Sequence, residues 1–510
     1  MPRATLSPAA FAGDPRREAA LVRRSLPSMT LRADATVRNA GLLIGLRGLA
    51  LAGGFVYAAL VPRTMGPQAY GQLALVTSLA VWFELASGLG IGQVIARETP
   101  SFRLRQDAVG LQSFFGSLVT LRAASGMVAA LVYFALTRIW LREIDLIVLV
   151  AVAGTVVVQS VGGTLYSFFL GLNQAARWGA NDVLSRWVPI LFLVSGYSLG
   201  GLPGACVGLL AGEIIVAAIA LGWARSYLSW SGLRASWVGL GPHVRFALGF
   251  YTSTVILAFF QRSGEPMVRI FTGDYTQVGY FGLAYAAYSA AEAVIPQVTM
   301  AFAPFLTALQ LQGDPERVAR WAERLARWLG AVGIAAVAGA FLLGEDLVPA
   351  IFGEDFGPVA IYLVPLALTL LPQAIGAVAR MLAVVYDRPG EVVRASVLRL
   401  ALLWAVGPIL VTRLGGAGAA LAVFLAVTAY AVYLAWRMRP AARYPLTRWG
   451  LTVALGFSFV PLVFLRSTWW VNLGLFAAFL AGYTAVLLVL RLISPDEVRS
   501  GVGVIRSREA

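Results

Sequence analysis

Cysteine, histidine, lysine and charge are all scarce in this chain, and each scarcity removes a class of function. The single cysteine, Cys206, leaves no intrachain disulfide framework. The single histidine, His243, argues against a His-based metal site and against a Ser-His-Asp triad. Lysine is absent, so all 40 basic residues are arginine, which is the bias expected of a GC-rich coding sequence. Charged residues make up 13% of the chain and hydrophobic residues 59%, whereas soluble domains carry about 25% charged residues. A soluble protein of this composition could not cover its surface. Glycine, by contrast, is plentiful at 53 residues, as expected where helices pack closely in lipid. A net charge of +15 raises nucleic acid as a partner. The arginines instead collect between long apolar runs, which is the pattern of a membrane chain and excludes that partner.

A bilayer core takes about 20 apolar residues per helix. Fourteen such runs lie near 40–61, 71–95, 109–136, 146–170, 180–199, 202–222, 246–270, 277–303, 328–344, 359–383, 394–412, 416–435, 449–465 and 471–490. Their length is helical and unlike the roughly 10-residue alternating strands of a barrel. With the N terminus inside, the tail to Arg38 carries seven arginines, and the even-numbered links with the C-terminal tail carry 22. The odd-numbered links carry six, namely Arg63, Arg138, Arg142, Arg269, Arg413 and Arg466, and five are embedded. The positive-inside rule puts the rich side, and both termini, in the cytoplasm. That alternation needs an even number of spans, fourteen on this reading and twelve if a pair is misread.

The expected fold is therefore an all-α polytopic membrane protein. Its parts read as a disordered basic cytoplasmic tail at 1–38, an N-terminal six-helix lobe at 39–222 and a cytoplasmic linker at 223–245. A C-terminal six-helix lobe follows at 246–436, then a trailing helix pair at 437–492 and a cytoplasmic tail at 493–510. The tail 1–38 lacks the apolar core of a secretory signal. The linker holds Trp230, Trp237 and His243, and no link is long enough for a soluble catalytic domain. A shift of 208 residues aligns Thr64 with Thr272, Gly71 with Gly279, Leu75 with Leu283 and Glu84 with Glu292. Six-span halves of equal orientation form a parallel pseudo-repeat about an axis along the membrane normal, flanking a central cavity.

The stretch from Arg63 to Glu98 reads RTMGPQAYGQLALVTSLAVWFELASGLGIGQVIARE, with a glycine turn from Gly66 to Gly71 and Gly88–Leu89–Gly90 leading to Arg97–Glu98. Residues 273–306 repeat that look in the second half; 311–327, 347–368 and the SPDEV after the last span follow suit. Together these resemble the polysaccharide transporter (Wzx-type) family of the multidrug/oligosaccharidyl-lipid/polysaccharide flippase superfamily, over roughly 40–500. The resemblance implies two six-helix lobes plus two C-terminal helices. It implies a flippase carrying a polyprenyl pyrophosphate-linked oligosaccharide from the cytoplasmic to the periplasmic leaflet of a bacterial inner membrane. The pathway would be exopolysaccharide, capsule or O-antigen assembly. Its partners would be that lipid, the surrounding membrane lipids, and a polysaccharide polymerase with export machinery; no cofactor or metal is implied. Family members often carry an Arg-x-Asp pair in span 7. Here the stretch is Gln261–Arg262–Ser263–Gly264–Glu265, with the carboxylate displaced.

Moving a glycolipid breaks no bond, so the chemistry asked for is a hydrated cavity with cations for a diphosphate, not a catalyst. Embedded charges cost about 2.5–3.5 kcal/mol each at a helix centre, so they face a cavity or a partner. Arg47 in span 1 either lines the cavity or snorkels to the cytoplasmic interface. Arg122 sits mid-span 3. Arg262 and Glu265 are spaced for a local ion pair and are, with Arg47 and Arg122, the substrate-binding candidates. Asp182 and Arg186 are spaced to satisfy each other, and Arg380 to snorkel. Glu84, Glu213 and Glu292 are deep carboxylates, Glu84 being a natural partner for Arg47. Pro296 offers no N–H to the carbonyl of Glu292, so Glu292 and Pro296 mark a kink. Glu84, Glu292 and Pro296 are the ion-coupling or hinge candidates. Tyr280, Tyr285 and Tyr288 could stack on sugars, or simply pack.

Three other readings stay open on residues alone. A multidrug or ion antiporter of the superfamily would have twelve spans and an acid-lined cavity. A peptidoglycan-precursor flippase would share fourteen spans and cavity arginines. A membrane polymerase or ligase would need a large outer loop with catalytic polar residues, and the longest outer links are about 344–358 and 136–145.

Overall fold

The computed structural model describes residues 33–228, 251, 254–439 and 446–493. The tail 1–32, the linker residues Trp230, Trp237 and His243, and residues 494–510 lie outside the described residues. Among the described residues the chain is helical, with no strand. α1 (Ala33–Gly88) holds spans 1 and 2, so the helix begins inside the stretch expected to be tail. α2 (Ile91–Leu104), α3 (Ala108–Trp140) and α4 (Leu146–Gly171) follow, and α5 (Ala175–Ala224) holds spans 5 and 6. The second lobe begins with α6 (Gly264–Thr272), α7 (Tyr275–Glu292) and α8 (Val294–Leu311). It continues with α9 (Pro315–Phe352), α10 (Val359–Val385), α11 (Pro389–Leu414) and α12 (Gly416–Met438). The trailing pair is α13 (Thr447–Gly456) with α14 (Val460–Val463), then α15 (Trp469–Val489).

Among the described residues, ten helical stretches are long and apolar enough to cross a bilayer. Two of them hold two spans each, and span 7 with the shorter Thr447–Val463 segment completes fourteen. The two double spans turn on glycine. Gly66 has φ 72°, a left-handed conformation that glycine adopts without steric cost, and Pro67 then opens span 2 at the position where a missing N–H costs nothing. Aspartate starts several helices by accepting an orphan backbone N–H: Asp107 from Gly110, Asp145 from Ile147, Asp274 from Thr276 and Asp314 from Arg317.

Span 2 ends earlier than its hydropathy implied. Leu89 and Gly90 both have positive φ, and the chain restarts as the amphipathic α2. Ile91, Val94 and Ile95 of α2 bury against Leu165, Phe168 and Phe169 of α4, while Arg97 faces outward. Two breaks fall within spans. Residues 254–261 are helical, Arg262 and Ser263 are not, and α6 starts at Gly264. Span 8 is interrupted at Ala293, between Glu292 and Pro296. The trailing helices pack on α9. Tyr483 donates to the Thr452 carbonyl at 2.9 Å, and Asn472, 2% exposed, ties α15 to Asp346 at 2.6 Å.

The two lobes meet where spans 2 and 8 cross. A Cβ on Gly71 would stand 1.9 Å from the Tyr275 carbonyl oxygen, and one on Gly279 would stand 2.2 Å from the Pro67 carbonyl oxygen. Pro67 and Tyr275 are themselves 208 residues apart, as are Gly71 and Gly279. The internal repeat is thus a reciprocal contact about a pseudo-twofold axis, the arrangement of an isologous interface within one chain. Ala74 and Gly282, another pair of that spacing, face each other at 3.3 Å for a Cβ on Gly282. Small residues at these positions let the backbones approach closely.

Further inter-lobe contacts gather at the arginine-poor end. Glu143, in the link after α3, pairs with Arg269 and accepts the Tyr275 hydroxyl at 2.7 Å. Arg269 also lies 4.1 Å above the Tyr275 ring, and Tyr70 meets Phe356 at 6.3 Å. Partial burial acts to raise the pKa of the Glu143 carboxyl. The Tyr275 and Arg269 contacts outweigh it and hold the pKa below the usual carboxylate range. The clamp is therefore intact at neutral pH and loosens only as pH falls into the acid range where that carboxyl protonates.

Candidate functional site

Arg262 is a cation that the fold leaves exposed and without an ion pair among the described residues. It occupies the break in span 7, and its side chain is exposed although helices of both lobes surround it. Its charge is felt by Tyr57 on span 1, Tyr70 and Glu84 on span 2, and Tyr285 on span 8. Arg262 is thus an exposed group within electrostatic reach of helices from both lobes. The break is pinned on either side. Trp82 of span 2 stacks on Phe259 at 4.9 Å, and the Trp404 indole of α11 donates to the Ser263 hydroxyl at 3.1 Å.

Glu265 does not join Arg262 there. It turns inward, 3% exposed, beside Ser78 of span 2 and Gly282 of span 8, and its Oε2 has no hydrogen-bond partner among the described residues. No salt bridge joins them, the exposed Arg262 acting on the buried Glu265 only through its charge.

Arg47 pairs with Asp182 at 2.8 Å and stays half exposed. The expected alternatives, Arg47 with Glu84 and Asp182 with Arg186, give way to this link between spans 1 and 5. The Trp187 indole, which donates to the Leu49 carbonyl at 3.0 Å, strengthens it. Arg122 is a structural cation. It is 6% exposed, with Nε on the Ser160 carbonyl and Nη1 on the Ser87 hydroxyl, both at 3.1 Å. It lines a polar hollow of about 220 Å³ with Glu84 and Thr164 of the first lobe and Tyr251 and Thr254 of span 7. Glu84 lies within electrostatic reach of both Arg122 and Arg262. Glu213 accepts from Gln159 at 3.0 Å.

In the second lobe Glu292 accepts from Gln373 at 2.7 Å and feels Arg399 and Arg380. Tyr285 and Tyr288 are buried, their rings 5.5 Å apart, and the Tyr280 hydroxyl donates to the Asp355 carbonyl at 3.1 Å. All three pack within the lobe. Arg399, grouped by sequence with the basic link before span 11, is instead 4% exposed inside α11. Its guanidinium lies 4.1 Å from the Phe260 ring and 4.8 Å from the Tyr430 ring, two cation–π contacts in an apolar setting. Arg327 and Glu323 are also buried, because α9 extends back through the stretch read as a link. Among the described residues, no three His, Cys, Asp or Glu side chains gather as a metal site.

A second concavity opens between α10, α12 and α13. It holds about 530 Å³ and is lined by Leu371, Pro372, Phe424, Trp436 and Trp449, with Arg439 also on its wall.

Residues 60–361 match the sequence profile of a family described as polysaccharide biosynthesis protein. The chain belongs to that family. Solved structures place the family fold beside transporters. The lipid II flippase MurJ in its inward closed conformation aligns with a TM-score of 0.65 and 12% identity, covering 89% of this chain and 100% of that one. An inward-facing multidrug resistance MATE family transporter of the MOP superfamily aligns at 0.52 and 17%, covering 78% and 94%. A point mutant of the Vibrio cholerae MATE transporter VcmN aligns at 0.51 and 13%, covering 79% and 98%. At these identities the likeness is one of fold. No curated protein matches the chain in sequence. The family match and the two-lobed fold bear out the Wzx-type resemblance.

Proposed function

We propose that this polysaccharide biosynthesis family member is a flippase. Its cargo is a polyprenyl pyrophosphate-linked oligosaccharide, moved from the cytoplasmic to the periplasmic leaflet of a bacterial inner membrane for exopolysaccharide, capsule or O-antigen assembly. The reading is supported by Arg262, an exposed cation within electrostatic reach of helices from both lobes, and we take it to lie in a cleft between lobes that are joined at one end. A diphosphate needs such a group, because anionic oxygens cross hydrocarbon only against a fixed opposite charge. The apolar groove beside α13 suits the other end of the molecule. An isoprenoid chain would lie against Leu371, Phe424 and Trp449, with Arg439 close to the head group. Both termini then lie in the cytoplasm, the clamp of Glu143, Arg269 and Tyr275 is on the periplasmic side, and the resting cleft faces inward. The two lobes rock about the crossing of spans 2 and 8 to exchange access. A polysaccharide polymerase and export machinery would take the product.

A deletion strain is expected to stop making surface polysaccharide and to accumulate one polyprenyl pyrophosphate oligosaccharide, identified by mass spectrometry of the lipid extract. Accumulation of a peptidoglycan precursor instead would favour the second flippase reading. No lipid intermediate, together with gained drug sensitivity, would favour export of small cations.

A further inference from the structure

The polar hollow between the first lobe and span 7 plays no part in the cargo contacts proposed above. Glu84, Arg122, Thr164, Ser167, Tyr251 and Thr254 line it, from spans 2, 3, 4 and 7. One wall forms where span 2 breaks: Leu89 and Gly90 have positive φ, and the chain leaves for α2 at Ile91, which also lines the hollow. Hydroxyls and a carboxyl are costly among membrane helices unless partners or water meet them. Here the partners are incomplete. Glu84 makes no hydrogen bond and no salt bridge with any described residue, and Arg122 acts on it only through charge. Thr164 and Ser167 return their hydrogens to their own helix, at Ser160 and Gly163, so their oxygens keep lone pairs for another donor. The wall at Gly163 is bare, since a Cβ there would meet nothing within 4 Å.

The chemistry of the hollow selects its occupant. One carboxyl beside one buried guanidinium leaves little net charge, so neither a diphosphate nor a lone cation is favoured there. Groups that accept from several hydroxyls suit a neutral polyol, and a carboxylate alone can take two O–H donors. A cavity of about 150 Å³ holds benzene, and this one, of about 220 Å³, has room for one six-membered sugar ring. The hollow also adjoins the diphosphate cation. Glu84 feels Arg262 as well as Arg122. Along span 7, Thr254 lies eight residues before Arg262, about 12 Å in a helix. We propose that this hollow is a sugar subsite: it takes one neutral sugar ring of the cargo while Arg262 holds the diphosphate. Glu84 accepts two ring hydroxyls, and Arg122 neutralises Glu84. The proposal rests on the flippase reading and adds to it a place where the glycan is recognised. On the orientation proposed above, Thr254 is on the cytoplasmic side of Arg262, where the glycan of a lipid entering from the inner leaflet hangs.

The test uses the whole protein in lipid nanodiscs and two probes, the polyprenyl pyrophosphate oligosaccharide that the deletion strain accumulates and bare polyprenyl pyrophosphate. Native mass spectrometry gives the affinity for each. Wild-type protein is expected to hold the glycolipid about tenfold or more tightly than the bare lipid, the gain that hydrogen bonds to a charged group supply. Gly163→Leu fills the hollow from an open position and is expected to bring the two affinities together. Gly163→Ala, which adds one methyl group, should keep part of the preference and shows that the position tolerates a side chain. Glu84→Gln keeps the size and gives up one of two acceptors, so it should narrow the preference by about tenfold. Equal affinities in wild type, or an undiminished preference in Gly163→Leu or Glu84→Gln, would overturn the inference and leave the flippase reading standing. A wild type that binds neither lipid would overturn both.

Discussion

Arg262→Ala is expected to cut polysaccharide export ten- to a hundred-fold while leaving the melting temperature of the purified protein unchanged. A hydrogen bond to a charged group contributes about 1.5–3 kcal/mol, and each 1.4 kcal/mol is about tenfold in an equilibrium. Loss of one guanidinium from a diphosphate site therefore gives that range. Stability is spared because Arg262 is exposed and makes no ion pair with any described residue. Arg122→Ala should do the opposite. It removes two buried hydrogen bonds, to Ser160 and Ser87, and leaves Glu84 without its nearest cation, so the melting temperature falls by several degrees. Export per folded molecule and thermal unfolding in detergent separate the two roles. Equal loss of stability in both variants would mean that Arg262 is also a structural charge.

Gly71→Val and Gly279→Val should each spring the lobes apart. The Cβ of the new side chain alone would stand 1.9 Å from the Tyr275 carbonyl oxygen or 2.2 Å from that of Pro67. Backbone cannot yield as a flexible side chain does. Overpacking of this kind costs about 1–3 kcal/mol, enough to turn a favoured arrangement into a minor one. The distance between spin labels on Arg142→Cys and Arg413→Cys, exposed on opposite lobes, in a Cys206→Ser background is expected to lengthen in both variants. Gly474→Val, at a position with nothing within 4 Å, should leave it unaltered. Because the two contacts are reciprocal, the two valines should have similar effects. If only one of them acted, the pseudo-twofold reading of the crossing would be wrong.

Hydropathy made the spans readable, since burial in lipid demands long apolar runs whatever the neighbours are. The turns at Gly66 and at Gly200–Gly201 were readable as interruptions between runs. The kink before Pro296 was readable because a missing N–H has a fixed address four residues back. The 208-residue repeat named Gly71 and Gly279 as equivalent, but that they touch each other's segments depends on where the axis lies. Other features were hidden for related reasons. The break at Arg262–Ser263 has a local signal, the stretch Gln261–Pro266 with its polar residues, Gly264 and Pro266, but hydropathy averaged over the whole run hides it. Arg47 and Asp182 are 135 residues apart, and their meeting depends on how spans 1 and 5 are rotated. Arg399 sits near the start of its apolar run, and arginine there reads as interfacial. Only the facing rings of Phe260 and Tyr430, from two other spans, make it a buried cation.

The most direct measurement follows the cargo itself. The purified protein is reconstituted into liposomes carrying the polyprenyl pyrophosphate oligosaccharide that the deletion strain accumulates. A membrane-impermeant glycosidase added outside then counts the sugars in the outer leaflet over time. With wild-type protein, nearly all of the glycolipid is expected to become accessible, with Arg262→Ala and protein-free liposomes leaving the inner-leaflet share protected. If that share stays protected with wild-type protein, or if Arg262→Ala releases it just as fast, then the cleft is not the path of a lipid-linked sugar.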